Sequence, residues 1–116
     1  MSTKETVEEF LKEFKQKLKI WDIYFRDERS KNTQTLVDLE ILPFERTKII
    51  EKLTYADYCE GPIKDELFGG SDMWIFGKEI KNKEVYIKIT LGITNNSVIC
   101  VSFHISEQRL NYPYKN

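Results

Sequence analysis

The chain has 116 residues, of which 41% are hydrophobic and 32% are charged, and its formal net charge is -1. This length and composition predict one globular domain, residues 1–116, with a modest core and no overall electrostatic signature of a nucleic-acid-binding protein. The two cysteines are far apart and there is one histidine, so we expect free thiols, no metal site and no cofactor. No apolar run reaches the roughly 20 residues that span a bilayer. Because the charged start is also unlike a signal peptide, we expect a cytoplasmic protein with no membrane contact.

Residues 3–18 have the spacing of an amphipathic helix. Ser2 or Thr3 can cap this helix, and Glu5 stands at capping-box distance from Ser2. The apolar residues that share its inner face are Val7, Phe10, Leu11, Phe14 and Leu18.

Residues 20–25 alternate β-branched and aromatic side chains, which predicts a strand with Trp21, Ile23 and Phe25 on one face. We expect Trp21, Trp74 and Phe103 to be core residues rather than stacking platforms for a base.

Two short helices are predicted in the middle of the chain. Residues 26–32 are too polar to pack and predict a surface loop, and Asn32 then caps a helix over residues 33–39. Pro43 suits the first turn of another helix that ends near Leu53. The residues expected to face inward from this helix are Phe44, Ile49, Ile50 and Leu53.

A single turn and a long loop follow. Thr54 begins the turn, which runs through Tyr58, and Asp57 stands at capping-box distance. Residues 60–72 hold three of the five glycines and break all periodicity, which predicts a loop with solvated carboxylates. Long ordered loops in small domains are often functional.

The last third of the chain predicts an antiparallel sheet. A short turn joins Met73–Ile80 to residues 83–91, and the turn residues 92–96 lead into a strand over residues 97–105. Alternation puts one set of apolar residues on a buried face: Trp74, Phe76, Ile80, Val85, Ile87, Ile89, Leu91, Ile99, Val101, Phe103 and Ile105. We therefore predict an α+β fold in which N-terminal helices pack on a small antiparallel sheet, with residues 20–25 joining that sheet as a further strand.

The opposite face of this predicted sheet carries the best functional clue. The register places Tyr86, Lys88, Ser102 and His104 together there. Metal-independent RNA cleavage needs a base for the ribose 2′-hydroxyl, a proton donor for the leaving oxygen and positive charge for the phosphate. His104 suits the acid–base role, Lys88 the phosphate and Tyr86 a stacked base. The alternative is that these are ordinary solvent-facing strand residues.

The order of segments resembles the motility quorum-sensing regulator (MqsR) toxins of bacterial type II toxin–antitoxin modules over roughly residues 7–104. The stretches that carry the resemblance are Leu53-Thr54-Tyr55-Ala56-Asp57-Tyr58, Glu84-Val85-Tyr86-Ile87-Lys88-Ile89 and Val101-Ser102-Phe103. The resemblance implies a RelE-like ribonuclease fold, sequence-selective cleavage of mRNA and inhibition by a cognate antitoxin protein.

Four positions of the family pattern can be aligned with residues of this chain. Tyr86 matches the family's tyrosine, and His104 is a chemically reasonable replacement for a lysine. Glu60 reverses the charge of another family lysine, and Ile75 replaces a glutamine and cannot form its hydrogen bonds. The acidic isoelectric point is a further departure, since such toxins are usually basic.

The leading hypothesis is a metal-independent endoribonuclease toxin. His104 is its acid or base, Lys88 its phosphate contact and Tyr86 an orienting or stacking group. Lys78 and Arg109 are further candidates for RNA contacts. The alternative hypothesis is a non-catalytic protein-interaction module on a RelE-like scaffold, which engages its partner through the hairpin face or an exposed strand edge.

Overall fold

The computed structural model describes residues 1–66 and 70–115, and over these residues the chain has an α+β fold. Its helices are α1 (Lys4–Trp21), α2 (Ser30–Leu39) and α3 (Glu45–Glu51), and its strands are β1 (Ile23–Phe25), β2 (Tyr58–Ile63), β3 (Met73–Ile80), β4 (Lys83–Thr90) and β5 (Val98–Ile105). The strands form one sheet in the order β1-β5-β4-β3-β2. All neighbours are antiparallel except β1 and β5. The predicted fold class is confirmed, whereas likeness to RelE stays a prediction.

Helix α1 packs on one face of the sheet and supplies much of the core. Its five predicted inner residues are all buried, and Phe10 stacks on Trp74 with ring centroids 4.4 Å apart. Burying a large apolar side chain contributes about 1.5–3 kcal/mol. Thr3, not Ser2, is the N-cap, because its hydroxyl accepts from the Thr6 backbone N–H at 3.2 Å. Among the described residues, no helix combines the length and the apolar character needed to cross a bilayer.

Helix α1 extends beyond its predicted end. Ile20 and Trp21 complete it, and Asp22, at φ 69°, ends it with its N–H bonded to the Leu18 carbonyl. The predicted strand over residues 20–25 is therefore correct only for Ile23–Phe25. Trp21 is 43% exposed and is not a core residue, whereas Trp74 and Phe103 are buried as predicted. The helical continuation overrides the strand preference of Ile20 and Trp21.

Helix α2 begins at Ser30, so the predicted loop is shorter than expected and Asn32 does not cap a helix. Asn32 is instead buried against the outer edge of β5, which β1 covers only as far as Cys100. Its side-chain amide donates to the Val101 carbonyl at 3.2 Å and accepts from the Phe103 N–H at 3.0 Å. The Thr35 hydroxyl accepts from the Ile105 N–H. Two polar side chains of a helix thus cover a strand edge that would otherwise be unpaired.

Three predictions for the middle of the chain need correction. Phe44 is 57% exposed and precedes α3 rather than facing inward. The predicted loop over residues 60–72 begins with ordered strand, because β2 runs to Ile63 and pairs with β3 through two irregularities. Asp65 is buried rather than solvated. The capping box of Thr54 and Asp57 is confirmed; residues 67–69 of the predicted loop lie outside the described residues.

A register shift divides β5 into two halves. Tyr86 pairs with His104 and Lys88 with Ser102, but Ile89 pairs with Cys100, so one extra residue lies in β5. This bulge exchanges the faces of the strand. Cys100 consequently belongs to the core cluster, while Ile99 and Val101 do not, which corrects the predicted uniform alternation. Phe103 faces the core as predicted.

The segment after β5 crosses the sheet on the face opposite α1. Glu84 holds it there: its carboxylate accepts from the Leu110 N–H at 3.0 Å and from the Tyr112 hydroxyl at 2.8 Å. These bonds also satisfy a carboxylate that lies beside Glu79 of the neighbouring strand. Tyr114 then stacks on Tyr58 with ring centroids 5.9 Å apart. Residues 106–115 therefore form an ordered strap, although they contain no regular helix or strand.

Candidate functional site

The sheet face opposite α1 is here called the site face. Its central residues come from β3, β4 and β5, and cross-strand pairing places them in two adjacent rows. The first row is Gly77, Tyr86 and His104. The second row is Ile75, Lys88 and Ser102. The predicted meeting of Tyr86, Lys88, Ser102 and His104 on one face is confirmed.

Tyr86 and His104 form a stacked pair at the centre of the site face. Their rings are 5.1 Å apart between centroids and are inclined by 14°. His104 Nδ1 lies 3.1 Å from the Ile105 carbonyl oxygen. A proton on Nδ1 would donate to that carbonyl and leave Nε2 as a proton acceptor. The sheet therefore fixes the imidazole plane against a second aromatic ring.

Burial raises the pKa of Tyr86, and the carboxylate of Glu60 raises it further, against an opposing effect of Arg29. Tyr86 therefore remains a neutral phenol at neutral pH and can donate a hydrogen bond or offer its ring for stacking. It is not suited to act as a base.

Lys88 lies one row further along β4, with Nζ 5.8 Å from the centroid of the Tyr86 ring. Burial and the positive charge of Arg29 lower the pKa of Lys88, while Glu60 and Asp65 oppose that shift. The ammonium is partly withdrawn from water and has another cation close by. Such a group gains from an anionic ligand more than an exposed lysine would.

Arg29 is the site residue that sequence reasoning missed. Its guanidinium donates to the Ser102 hydroxyl at 3.3 Å and to the Val101 carbonyl at 3.4 Å, which brings it over the second row of the site face. The available signal is the charge density of residues 26–32, which by itself predicts only a surface loop. Contact with Ser102, 73 positions away, depends on the fold and has no local sequence signature.

The structure does not bring every predicted contact to the site face. Lys78 lies on the α1 side of β3, because it alternates with Gly77 and pairs with the buried Val85. Its Nζ is 3.4 Å from both oxygens of Asp57, so it forms a structural ion pair. Arg109 is exposed in the strap. Lys78 therefore lies on the opposite side of the sheet from the stacked pair, and the RNA contacts of Lys78 and Arg109 stay predictions.

Two depressions flank the stacked pair. One, with a volume of about 340 Å³, lies between α2 and the end of β5 and includes His104 and Glu107 in its wall. The other, of about 500 Å³, lies between the loop after β1 and the segment after β2, and Lys88 and Arg29 contribute to it. His104 and Lys88 thus face neighbouring depressions rather than one enclosed pocket.

The described residues contain no group of three or more histidine, cysteine, aspartate or glutamate side chains that could hold a metal ion. Both cysteines are free thiols, and Cys59 is only partly buried. Burial raises the pKa of Cys59 and of Cys100 to about 12. Neither thiol is therefore set up as a nucleophile.

Comparison of the chain with protein-family models, curated proteins and solved structures finds no match.

Proposed function

We propose that this protein is an endoribonuclease toxin of a toxin–antitoxin pair, MqsR-like in its scaffold, which cleaves mRNA without a metal ion. The observation that carries the proposal is the stacked Tyr86–His104 pair with the Lys88 ammonium beside it on the same sheet face. This group offers one acid–base residue, one cation and one aromatic surface. A cognate antitoxin and a cytoplasmic location follow from the same proposal.

In the proposed reaction, His104 takes the proton of the ribose 2′-hydroxyl. The 2′-oxygen attacks the adjacent phosphorus, and the bond from phosphorus to the 5′-oxygen of the next nucleotide breaks. Lys88 stabilises the negative charge on the phosphate and donates a proton to the leaving 5′-oxygen. The products are a 2′,3′-cyclic phosphate and a 5′-hydroxyl. Tyr86 orients the base or sugar.

The local charge supports a nuclease over a protein-interaction module. The chain as a whole has a net charge of -1, yet four cationic and two acidic residues line the larger depression beside the site. A basic surface beside the acid–base group favours a polyanionic substrate. An apolar or evenly mixed surface would favour the module.

The test is induction of the wild type and of His104→Ala in a bacterial host, with growth and intact mRNA followed together. Lys83→Ala is the control, because Lys83 is exposed at the start of the same strand. We expect arrest and RNA loss with the wild type and the control, and relief with His104→Ala. Arrest that the substitution leaves unchanged would keep the toxin but remove His104 from its centre. Normal growth with intact RNA at high expression would favour the interaction module.

Tyr86→Phe and Tyr86→Ala separate the two roles of the phenol. Phenylalanine keeps the stack on His104 and removes the hydroxyl. If stacking is what matters, Tyr86→Phe keeps most of the cleavage rate and Tyr86→Ala loses it.

A further inference from the structure

The larger depression beside the site has a mixed lining. Here it is called the basic groove. It is lined by four cationic residues and two carboxylates, of which Asp65 is buried: Arg26, Arg29, Lys64, Lys88, Asp65 and Glu66. Its apolar lining comes from Ile63, Met73 and Val101. A lining that combines an excess of positive charge with apolar side chains matches a nucleotide, which presents a phosphate and a flat base.

Two of the four cations of the groove, Arg29 and Lys88, are held close together. Arg29 is fixed by its bonds to Ser102 and Val101, and Lys88 is the cross-strand partner of Ser102. The mutual repulsion of the two charges contributes to the lowered pKa of Lys88. Neither residue forms an ion pair with a carboxylate within the described part of the chain. A bound phosphate would relieve this repulsion.

The loop that presents Arg29 is itself fixed before any ligand binds. The Arg26 N–H donates to the Cys100 carbonyl at 3.1 Å, and the Asn32 side chain donates to the Arg26 carbonyl at 2.9 Å. Asp27 is bonded to the guanidinium of Arg46. A preorganised loop loses little conformational entropy when it binds a ligand.

The strap and the basic groove lie on opposite sides of the stacked pair. Along β4, the site-face residues are Glu84, Tyr86 and Lys88 in that order. The strap binds Glu84, and a Cβ placed on Gly77 beside Tyr86 would be 2.3 Å from the Tyr112 hydroxyl. A nucleic-acid strand that passes Tyr86 and His104 is therefore blocked by the strap on one side. On the other side it meets Lys88 and the groove.

We propose that the basic groove binds the nucleotide of a single-stranded RNA next to the scissile phosphate, and that Arg29 is its principal phosphate contact. The choice of RNA as the polymer rests on the proposed function. The groove itself requires only a phosphodiester with an adjoining base, so its test does not depend on cleavage.

The experiment measures binding of a short fluorescent DNA single strand, which lacks the 2′-hydroxyl and cannot be cleaved by the proposed reaction. Affinity is measured by fluorescence anisotropy for the wild type, Arg29→Ala, Arg29→Lys and Lys12→Ala. Lys12 is an exposed cation on α1, on the other side of the sheet. We expect Arg29→Ala to weaken binding about tenfold, with a salt slope shallower by about 0.7 for the lost phosphate contact. Arg29→Lys should retain the slope, and Lys12→Ala should bind like the wild type.

Each outcome of this experiment tests the groove assignment independently of the proposed nuclease activity. Unchanged affinity in Arg29→Ala, or no binding of the single strand by the wild type, overturns the groove assignment even if His104→Ala abolishes RNA cleavage. Weakened binding in a normally folded Arg29→Ala protein, checked by its thermal unfolding, supports the groove. That result would stand even if the wild type cleaved no RNA, which would instead defeat the proposed function.

Discussion

The guanidinium of Arg46 donates to both carboxylate oxygens of Asp27, at 2.8 and 3.0 Å, although only one partner is buried. The Arg46 side chain is 3% exposed, whereas that of Asp27 is 41% exposed. Arg46 also donates to the Pro43 carbonyl and lies 3.8 Å from the centroid of the Phe25 ring. The pair joins α3 to the loop that carries Arg29, so it helps to hold that loop in place at the basic groove.

This asymmetry predicts unequal effects of removing each partner. Asp27→Ala leaves a buried positive charge without its carboxylate, and the free energy of unfolding should fall by about 3–5 kcal/mol. Arg46→Met keeps much of the packing on Phe25, and the remaining Asp27 reaches water, so the loss should be less than half as large. Urea unfolding of the two variants measures the difference. Equal losses would show that the exposure of Asp27 does not matter.

The Asn32 side chain predicts a second stability effect. It bonds to three backbone groups, those of Arg26, Val101 and Phe103, in a buried position. Leaving a buried polar group unsatisfied costs about 1–3 kcal/mol, so Asn32→Ala should lower the free energy of unfolding by at least about 2 kcal/mol. Asn96→Ala is the matched control, because Asn96 is an exposed turn residue whose loss should change stability by less than about 0.5 kcal/mol. Similar values for both variants would contradict this account.

The close contact between Gly77 and the strap predicts that a larger residue at this position would displace the strap. Its φ is not in the left-handed region, yet an added Cβ would lie 2.3 Å from the Tyr112 hydroxyl and 2.6 Å from Leu110 Cδ1. Gly77→Ala should therefore displace the strap and expose the bond after Arg109 to trypsin. Tyr112→Phe removes one hydrogen bond to Glu84 without a clash and serves as the milder comparison. Wild-type resistance to trypsin in Gly77→Ala would mean that the strap accommodates the methyl group.

The charges around Lys88 predict the pH dependence of phosphate binding. In the proposed site, the Lys88 ammonium would bind phosphate only while it is protonated. Burial and Arg29 lower its pKa, whereas Glu60 and Asp65 act to raise it. Arg29→Gln should raise that pKa, so the alkaline loss of single-strand binding should move to higher pH. Glu60→Gln should lower it and move the loss to lower pH. Anisotropy titrations across pH measure both, and shifts in the same direction would contradict the electrostatic account.

Local pattern was sufficient for the inner face of α1, though not for its last turn, and for the sheet pairings that position Tyr86, Lys88 and His104. Period-two alternation in β3 and β4 fixes the register of one against the other, as predicted. The bulge in β5 could not be predicted, because its inserted residue is accommodated by Arg29 and Asn32, which bond to Val101 from a distant loop and helix. A uniform alternation therefore places Ile99 and Val101 on the core face, where the structure has Cys100.

The site residues that sequence reasoning missed share one cause. Arg29 and the strap reach the site through contacts between positions far apart in the chain. Their local composition is that of a polar loop and of a segment that contains Tyr-Pro-Tyr, which carries no signal of burial. Lys78 is the opposite case. Its strand was correctly predicted, but its side chain lies on the α1 side of the sheet, where it bonds to Asp57 of the turn before β2.

The parallel pairing of β1 with β5 also sets the order in which the protein can be completed during synthesis. Residues 23–25 leave the ribosome well before their partners, which are residues 98–100. Until those residues emerge, β4 has no neighbour on that side, and Val98 and Cys100 are missing from the core. Contacts between distant parts of a chain also slow folding. Both the groove and the stacked pair need β5, so neither can form until residues 98–105 have been translated.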